Sequence, residues 1–150
     1  MPCRILIADD HTPLRTMLKA TLEAHPGWQV CAEAANGLEA VQKAAELKPD
    51  IIILDLSMPV MNGLEATRKI LSASPHVPIL MFTNHALSSL ALEAEKAGIR
   101  RIISKMYEGD ELATAVEKLL NENPRCAVAT LPKNPMRATL ADDEKKQMDR

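Results

Sequence analysis

Two apolar runs that end in acids decide the fold of this chain, Ile5-Leu6-Ile7-Ala8-Asp9-Asp10 and Ile51-Ile52-Ile53-Leu54-Asp55. A short continuous apolar run is typical of a strand that is buried on both faces, as in a parallel sheet. The acids then follow the carboxyl ends of two strands, where open α/β sheets place their ligand crevice. Because neighbouring strands lie about 4.8 Å apart, we expect Asp9, Asp10 and Asp55 to share one pocket.

Three carboxylates at such short distances repel one another unless a cation lies between them or some of them are protonated. A hard divalent cation is the natural counter-charge. Mg²⁺ in particular binds to one or two carboxylates together with a phosphate. The sequence therefore predicts a Mg²⁺ site, with Asp9, Asp10 and Asp55 as metal-ligating candidates.

The rest of the chain alternates predicted strands and helices, which is the pattern of a doubly wound, five-stranded parallel sheet of the α/β class. Right-handed crossovers make the strand order 2-1-3-4-5 a leading topology. In that order the first and third strands are neighbours, so the three acids converge. We predict strands at 5–8, 28–32, 51–54, 78–82 and 101–104, and helices at 12–25 with Thr12 as N-cap, 38–48, 63–72, 87–97 and 110–120.

Two further polar residues follow the remaining strands of the predicted sheet. Thr83 ends the fourth strand and Lys105 follows the fifth. Two strand steps are about 10 Å, a distance that an extended lysine can largely span, so the ammonium group can approach Asp55. A carboxylate nucleophile, a metal, a hydroxyl and a cation around one phosphoryl group are the parts that phosphoryl transfer requires.

Composition excludes several other function classes. The chain has 150 residues, is 47% hydrophobic and carries a formal net charge of -2. It lacks the basic stripe that neutralises nucleic-acid phosphates, so we expect no nucleic-acid binding. No apolar segment has the length of a signal peptide or a membrane span, so we expect a cytoplasmic protein without a membrane partner. Cys3, Cys31 and Cys126 lack metal-ligand spacing, and we expect reduced thiols without a function.

Four segments, taken together and in order, resemble the receiver domain of two-component response regulators, in a single-domain, chemotaxis-regulator-like form. The resemblance covers roughly residues 3–121 and implies the flavodoxin-like (βα)5 fold. Any one segment alone would be a weak signal. The segments are Ile5-Leu6-Ile7-Ala8-Asp9-Asp10-His11, Leu54-Asp55-Leu56-Ser57-Met58-Pro59-Val60-Met61-Asn62-Gly63, Met81-Phe82-Thr83-Asn84 and Ile103-Ser104-Lys105.

The resemblance implies a phosphorylation switch and not a metabolic enzyme. Asp55 would accept a phosphoryl group from a sensor histidine kinase or a phosphotransfer protein. Mg²⁺ would be bound by Asp10, by Asp55 and by the backbone carbonyl of Ser57, with Asp9 acting through a metal-bound water. These groups would neutralise charge around the transferring oxygens.

The resemblance also assigns roles to the two residues after strands four and five. Thr83 would donate its hydroxyl to a phosphoryl oxygen, and Lys105 would pair with the carboxylate or the phosphate. Met58-Pro59 and Asn62-Gly63 would shape the loop after the nucleophile, with Pro restricting φ and Gly permitting a positive φ. The output would pass to an unknown downstream protein, and homodimerisation on phosphorylation is left open.

The chain departs from the receiver pattern beside Lys105. Receivers usually carry Tyr or Phe three residues before this lysine, where the chain has Ile102, which places the usual output switch in doubt. Many receivers carry Pro after the lysine, where the chain has Met106. A cis bond before a non-proline residue costs about 2.5–4 kcal/mol, so we expect a trans peptide there.

Two alternative functions remain open at this point. One is a pseudo-receiver, an interaction module that never carries phosphate, which Ile102 keeps open. The other is a Mg²⁺-dependent phosphatase of the haloacid-dehalogenase type. Such enzymes place a second aspartate two residues after the nucleophile, where this chain has Ser57, so that spacing does not fit.

The end of the chain changes in composition. We expect residues 1–122 to form the receiver domain and residues 123–150 to be a largely disordered tail or linker that folding does not require. Pro124, Pro132 and Pro135 interrupt any helix, and the segment offers little apolar surface to a core. It is too short for an output domain.

Overall fold

The computed structural model describes residues 2–84, 89–106 and 110–127. No helix among these residues is long and apolar enough to cross a lipid bilayer. The strands are β1 (Cys3–Ala8), β2 (Trp28–Ala34), β3 (Ile51–Leu54), β4 (Ile79–Thr83) and β5 (Arg101–Ser104). The helices are α1 (Thr12–Glu23), α2 (Gly37–Leu47), α3 (Gly63–Ala73), α4 (Ser89–Ala97), α5 (Glu111–Asn121) and α6 (Pro124–Ala127).

The five strands form one parallel sheet in the order β2-β1-β3-β4-β5, as the sequence predicts. The register places Ala8 of β1 beside Leu54 of β3. The residues that follow these two, Asp9 and Asp55, therefore leave the sheet at the same level. The fold is the flavodoxin-like (βα)5 arrangement, and its switch point lies between β1 and β3.

Both faces of the sheet are buried, which explains the continuous apolar runs. Ile5 and Ile7 of β1 belong to a cluster that α1, α5 and α6 cover. Leu6 and Ala8 belong to a second cluster that α2, α3 and α4 cover. Each fully buried aliphatic side chain contributes about 1.5–3 kcal/mol relative to an exposed one, so the two clusters together hold the strand ends in position.

The start of α1 differs from the prediction. Thr12 was expected to be the N-cap, but the helix begins at Thr12 and His11 is the N-cap, because the carbonyl of His11 accepts the first helical hydrogen bond, from the Arg15 amide. The hydroxyl of Thr12 accepts a hydrogen bond from Arg15 Nη2 at 3.3 Å. The start predicted for the fourth helix, residue 87, lies outside the described residues.

The cysteine prediction is wrong for two of the three residues. Cys3 and Cys126 form a disulfide with their Cα atoms 5.6 Å apart, and Cys31 is free. Spacing could not reveal the pair, because 123 residues separate its members in sequence. Only the packing of α6 against the start of β1 brings them together.

The first residues after Glu122, where the tail was expected to begin, pack against the domain. Pro124–Ala127 form the short helix α6, and Cys126 is part of the core cluster under α1 and α5. Arg125 forms a bidentate ion pair with Asp50. Since residues 128–150 lie outside the described residues, the division of the chain at residue 122 stays a prediction.

Candidate functional site

The three acids that the sequence singles out lie in one cluster. Asp9 and Asp55 are only 2% and 6% exposed, while Asp10 is exposed to solvent. One carboxylate oxygen of each lies within 4.8 Å of the others. The amide of Asp55 donates to the carbonyl of Ala8 at 2.9 Å, which continues the pairing of β1 with β3 into the site. The predicted convergence of the acids is thus present in the structure.

The ammonium group of Lys105 lies between two of these acids. Its Nζ atom is 2.5 Å from Oδ2 of Asp9 and 3.0 Å from Oδ2 of Asp55. The Lys105 side chain is only 13% exposed. Burial by itself lowers the pKa of Lys105, but the hydrogen bonds and charges of Asp9 and Asp55 outweigh it and hold that pKa above its ordinary value. Lys105 is therefore a charged group in the described structure and offsets much of the repulsion between the two carboxylates.

Asp9 is held in place by groups that sequence reasoning did not identify. The amide of His11 donates to Oδ1 of Asp9 at 2.9 Å. Nη1 of Arg15 donates to the carbonyl oxygen of Asp9 at 2.5 Å, and Nε of Arg15 pairs with Glu33 at 3.3 Å. The helical position of Arg15, one turn after the start of α1, carried no signal of this role, because the contact depends on how α1 packs beside β2.

Thr83 and Ser57 lie near the same edge of the sheet. Thr83 is fully buried at the end of β4, and its carbonyl accepts a hydrogen bond from the Lys105 amide at 3.1 Å. Ser57 is exposed, two residues after Asp55 in the loop between β3 and α3. Their roles toward a phosphoryl group and a metal stay predictions.

The loop after Asp55 corrects the expectation about Gly63. The residue with a positive φ in this loop is Val60, at 68°, and not the glycine. Gly63 is required for space instead, since a Cβ atom there would lie 2.2 Å from the carbonyl oxygen of Asp55. The Gly63 amide also donates to the carbonyl of Leu56 at 2.8 Å. The first turn of α3 is thus packed directly against the backbone of Asp55.

The two departures beside Lys105 have defined places in the structure. Ile102 is half-buried, is paired with Met81 on β4, and packs against the cluster under α2, α3 and α4. The effect of Ile102 on switching stays a prediction. The peptide bond before Met106 is trans, as expected.

The donor atoms of the cluster fit a hard divalent cation. Carboxylate oxygens are the ligands that Mg²⁺ prefers in proteins. Both side-chain oxygens of Asp9 already accept hydrogen bonds, from His11 and from Lys105. Asp10 and Asp55 therefore keep more free oxygen capacity for a metal than Asp9 does, and the indirect role expected for Asp9 stays a prediction.

Comparison with known proteins identifies the family. The sequence profile of the response regulator receiver domain matches residues 5–117. The chain belongs to the response regulator receiver family. Members of this family are signalling domains that accept a phosphoryl group, and they generally use Mg²⁺ at an acidic pocket of this kind.

Individual relatives agree with this assignment. The chain is 36% identical to the chemotaxis protein CheY of Bacillus subtilis (strain 168) over 121 residues, which cover 81% of this chain and 100% of the relative. A two-component response regulator of the LuxR family from Aurantimonas sp. SI85-9A1 superposes with a TM-score of 0.77 at 36% identity, covering 86% of this chain and 95% of that one. The response regulator domain of Thermotoga maritima CheB superposes with a TM-score of 0.70 at 30% identity, covering 88% and 100%.

Proposed function

We propose that this protein is a response regulator receiver that accepts a phosphoryl group on Asp55, with Mg²⁺ bound, and signals through protein–protein contacts. The observation that carries the proposal is the meeting of Asp9, Asp10, Asp55 and Lys105 in one pocket at the carboxyl edge of the sheet. The phosphoryl donor would be a sensor histidine kinase or a phosphotransfer protein. The recipient of the signal is a downstream protein of unknown identity.

The transfer follows from the chemistry of the pocket. A carboxylate oxygen of Asp55 attacks the phosphorus of a phosphohistidine, the P–N bond breaks, and the imidazole leaves as the acyl phosphate forms. Lys105 pairs with Asp55 at 3.0 Å. Its ammonium group is therefore close enough to pair with a phosphoryl oxygen once the group is transferred to Asp55. Thr83, at the end of β4, donates its hydroxyl to another phosphoryl oxygen. Charge neutralisation of this kind supplies most of the catalysis in phosphoryl transfer.

Metal binding is assigned to Asp10, Asp55 and the backbone carbonyl of Ser57, with Asp9 linked through a water. When bound, Mg²⁺ supplies positive charge opposite the transferring oxygens. Asp9 accepts hydrogen bonds from the His11 amide and from Lys105, so it would act on the metal through a water and not as a direct ligand. The hydrogen bond from Lys105 also positions its ammonium group between the two buried carboxylates.

In this proposal the protein works in the cytoplasm, where its kinase presents the phosphohistidine. The protein forms and hydrolyses its own acyl phosphate and does not act on a metabolite. No nucleic-acid or membrane partner is proposed. Homodimerisation on phosphorylation is compatible with the proposal but is not part of it.

The test is phosphorylation by a small-molecule donor such as acetyl phosphate in the presence of Mg²⁺, read by intact mass. One phosphoryl group should be added, and hydroxylamine should remove it. Asp55→Asn should abolish the addition. Asp50→Asn is the matched control, because Asp50 precedes β3 as Asp55 follows it and is also buried. Equal labelling of the wild-type protein and Asp55→Asn would overturn the assignment of the acceptor.

Failure of the wild-type protein to accept phosphate would favour the pseudo-receiver alternative.

A second measurement addresses the metal. Asp10→Ala should weaken Mg²⁺ binding, since it removes one direct charge from the site. Unchanged Mg²⁺ affinity would contradict the role of Asp10.

A further inference from the structure

The amino edge of the sheet, opposite the acid pocket, carries a disulfide that joins the two ends of the described chain. Cys3 is the first residue of β1, and Cys126 lies in α6, 123 residues later. Both are buried, at 2% and 1% exposure, in the core cluster that α1 and α5 cover. The bond therefore links α6 covalently to the amino end of β1, an inner strand of the sheet.

A small polar network around Asp50 supports the same attachment. The Asp50 carboxylate accepts two hydrogen bonds from Nη1 of Arg125, each at 2.7 Å, and one from the Arg4 amide at 2.8 Å. Nη2 of Arg125 donates to the carbonyl of Pro2 at 3.1 Å. Because α6 has only four residues, opening it would break this network and expose the buried Cys126.

Such a short element opens locally at a lower free energy than the sheet beneath it. Opening of α6 would expose the sulfur atoms of Cys3 and Cys126 to an external thiol while the strands stay paired. Disulfides in a reducing compartment are usually transient or redox-sensing. Local opening of α6 would give this buried bond the accessibility that such a role requires.

We propose that Cys3 and Cys126 form a reversible redox site that controls the attachment of α6 to the receiver domain. The reductant is a pair of thiols, either a protein dithiol or two molecules of a small monothiol such as glutathione. Its thiolate attacks one sulfur, the Cys3–Cys126 bond breaks, and a mixed disulfide forms. The second thiol of the reductant resolves it. Two electrons and two protons pass to Cys3 and Cys126, and the reductant leaves as its own disulfide.

A metal is the competing occupant of this cluster. Ligand atoms of Cys3, Asp50 and Cys126 lie within 4.8 Å of one another, so the reduced thiols could be thought to bind Zn²⁺ with the carboxylate. The guanidinium of Arg125 already occupies both oxygens of Asp50. That positive charge opposes a second cation at the same carboxylate and favours the redox role.

Cys31 provides an internal control. It lies in β2, is half-buried and is free. Burial raises the pKa of Cys31 above its ordinary value, which the charge of Arg4 partly counters. A raised pKa lowers the thiolate fraction and therefore the reactivity at neutral pH.

The first experiment equilibrates the full chain in glutathione buffers of increasing oxidation and counts thiols after denaturation. The oxidised wild-type protein should show one thiol and the reduced protein three. In intact mass the reduced protein should be heavier than the oxidised protein by two hydrogen atoms. Reduction should lower the melting temperature by roughly 10 °C, because a loop of this length constrains the unfolded chain strongly. Cys126→Ala should show no response to reductant, and Cys31→Ala should respond as the wild-type protein does.

The second experiment tests whether opening of α6 controls the reaction. Arg125→Gln should be reduced by dithiothreitol roughly tenfold faster, since a charge-assisted hydrogen bond that holds α6 is lost. Arg101→Gln is the control, because Arg101 is exposed and pairs at 3.8 Å with Glu111, which lies at the start of α5, whereas α6 follows the end of α5. Hydrogen exchange should show faster amide exchange in 123–127 after reduction, with the central strands unchanged.

Three results would overturn the proposal. One is three free thiols in protein equilibrated with excess oxidised glutathione. Another is a one-to-one complex of the reduced protein with Zn²⁺ that masks two thiols and is lost in Cys126→Ala. The third is an equal reduction rate for Arg125→Gln and the wild-type protein. Labelling of Asp55 by acetyl phosphate is measured on the same samples, so a failed redox site and a failed phospho-acceptor give different results.

Discussion

Replacing Lys105 with methionine removes the only charge that the described structure places between the Asp9 and Asp55 carboxylates. The methionine side chain is similar in length to the lysine stem, so the substitution tests the ammonium group more than the packing. We expect Lys105→Met to destabilise the metal-free protein by about 2–4 kcal/mol at pH 7. The physical reason is that two buried carboxylates are left without their shared counter-charge.

The magnitude follows from the geometry. The ammonium lies 2.5 Å and 3.0 Å from its two partners, and the side chain is 13% exposed. Removing one member of a buried ion pair typically costs about 3–5 kcal/mol. The neighbouring Asp10 is exposed to solvent, so water screens the remaining carboxylates and lowers the expected loss to about 2–4 kcal/mol.

The assay is urea denaturation in EDTA, with Lys19→Met as the matched control. Lys19 is exposed on α1, and its replacement should change the free energy of unfolding by no more than about 0.5 kcal/mol. Mg²⁺ should restore part of the loss in Lys105→Met, because a cation bound at 100 times its Kd adds about 2.7 kcal/mol. Equal stability of Lys105→Met and the wild-type protein in EDTA would refute the reasoning.

We also expect the difference in stability between the wild-type protein and Lys105→Met to depend on pH in the alkaline range. The pKa of Lys105 is raised in the folded state, so its contribution to stability is fully present below the unfolded value, about 10.4. The contribution is lost as the pH rises through the higher folded value. The difference in unfolding free energy between the wild-type protein and Lys105→Met should therefore be constant from pH 8 to about 10 and should shrink above it. A difference that grows with rising pH would contradict the direction of the shift.

Two further predictions concern the loop after Asp55. Gly63→Ala should destabilise the protein by about 1–3 kcal/mol and slow its phosphorylation, because the added Cβ would lie 2.2 Å from the carbonyl oxygen of Asp55. The control is Lys69→Ala, since Lys69 is exposed on the same helix, and it should change neither stability nor phosphorylation. Val60→Asn should stabilise the protein by about 1 kcal/mol in thermal denaturation. Val60 is 76% exposed and has a left-handed φ of 68°, a conformation that asparagine adopts more easily than valine. An unchanged or lower melting temperature for Val60→Asn would show that the loop relaxes around the valine.

The sequence predicted the framework of the fold because the relevant signals are local. The apolar run 51–54 became β3 at those residues, and 101–104 became β5. Turn and cap residues marked the helices to within a few residues, as at Asn62, which accepts a hydrogen bond from the Glu65 amide at 2.9 Å. The exception is Thr12, because α1 begins one residue earlier than expected and has His11 as its N-cap.

The gathering of the acids could also be predicted, because it needs only the strand order. Once β1 and β3 are adjacent, Asp9 and Asp55 must leave the sheet together. The same argument brought Lys105 within reach from β5, although the sequence did not specify that its ammonium bridges both carboxylates. Residue type and position after a strand were sufficient for the candidate site.

By itself, then, the sequence determined which segments are strands and which acids follow them, since apolar periodicity and turn residues act over a few neighbours. It gave the order 2-1-3-4-5 only as a leading topology, and the structure has that order. The tertiary structure decided the contacts between distant or differently packed elements. The hold of Arg15 on Asp9, the close approach of Gly63 to Asp55, and the pairing of Cys3 with Cys126 are of this kind. Each depends on how a helix packs against the sheet, and that geometry is set by the whole core and not by the residues on either side.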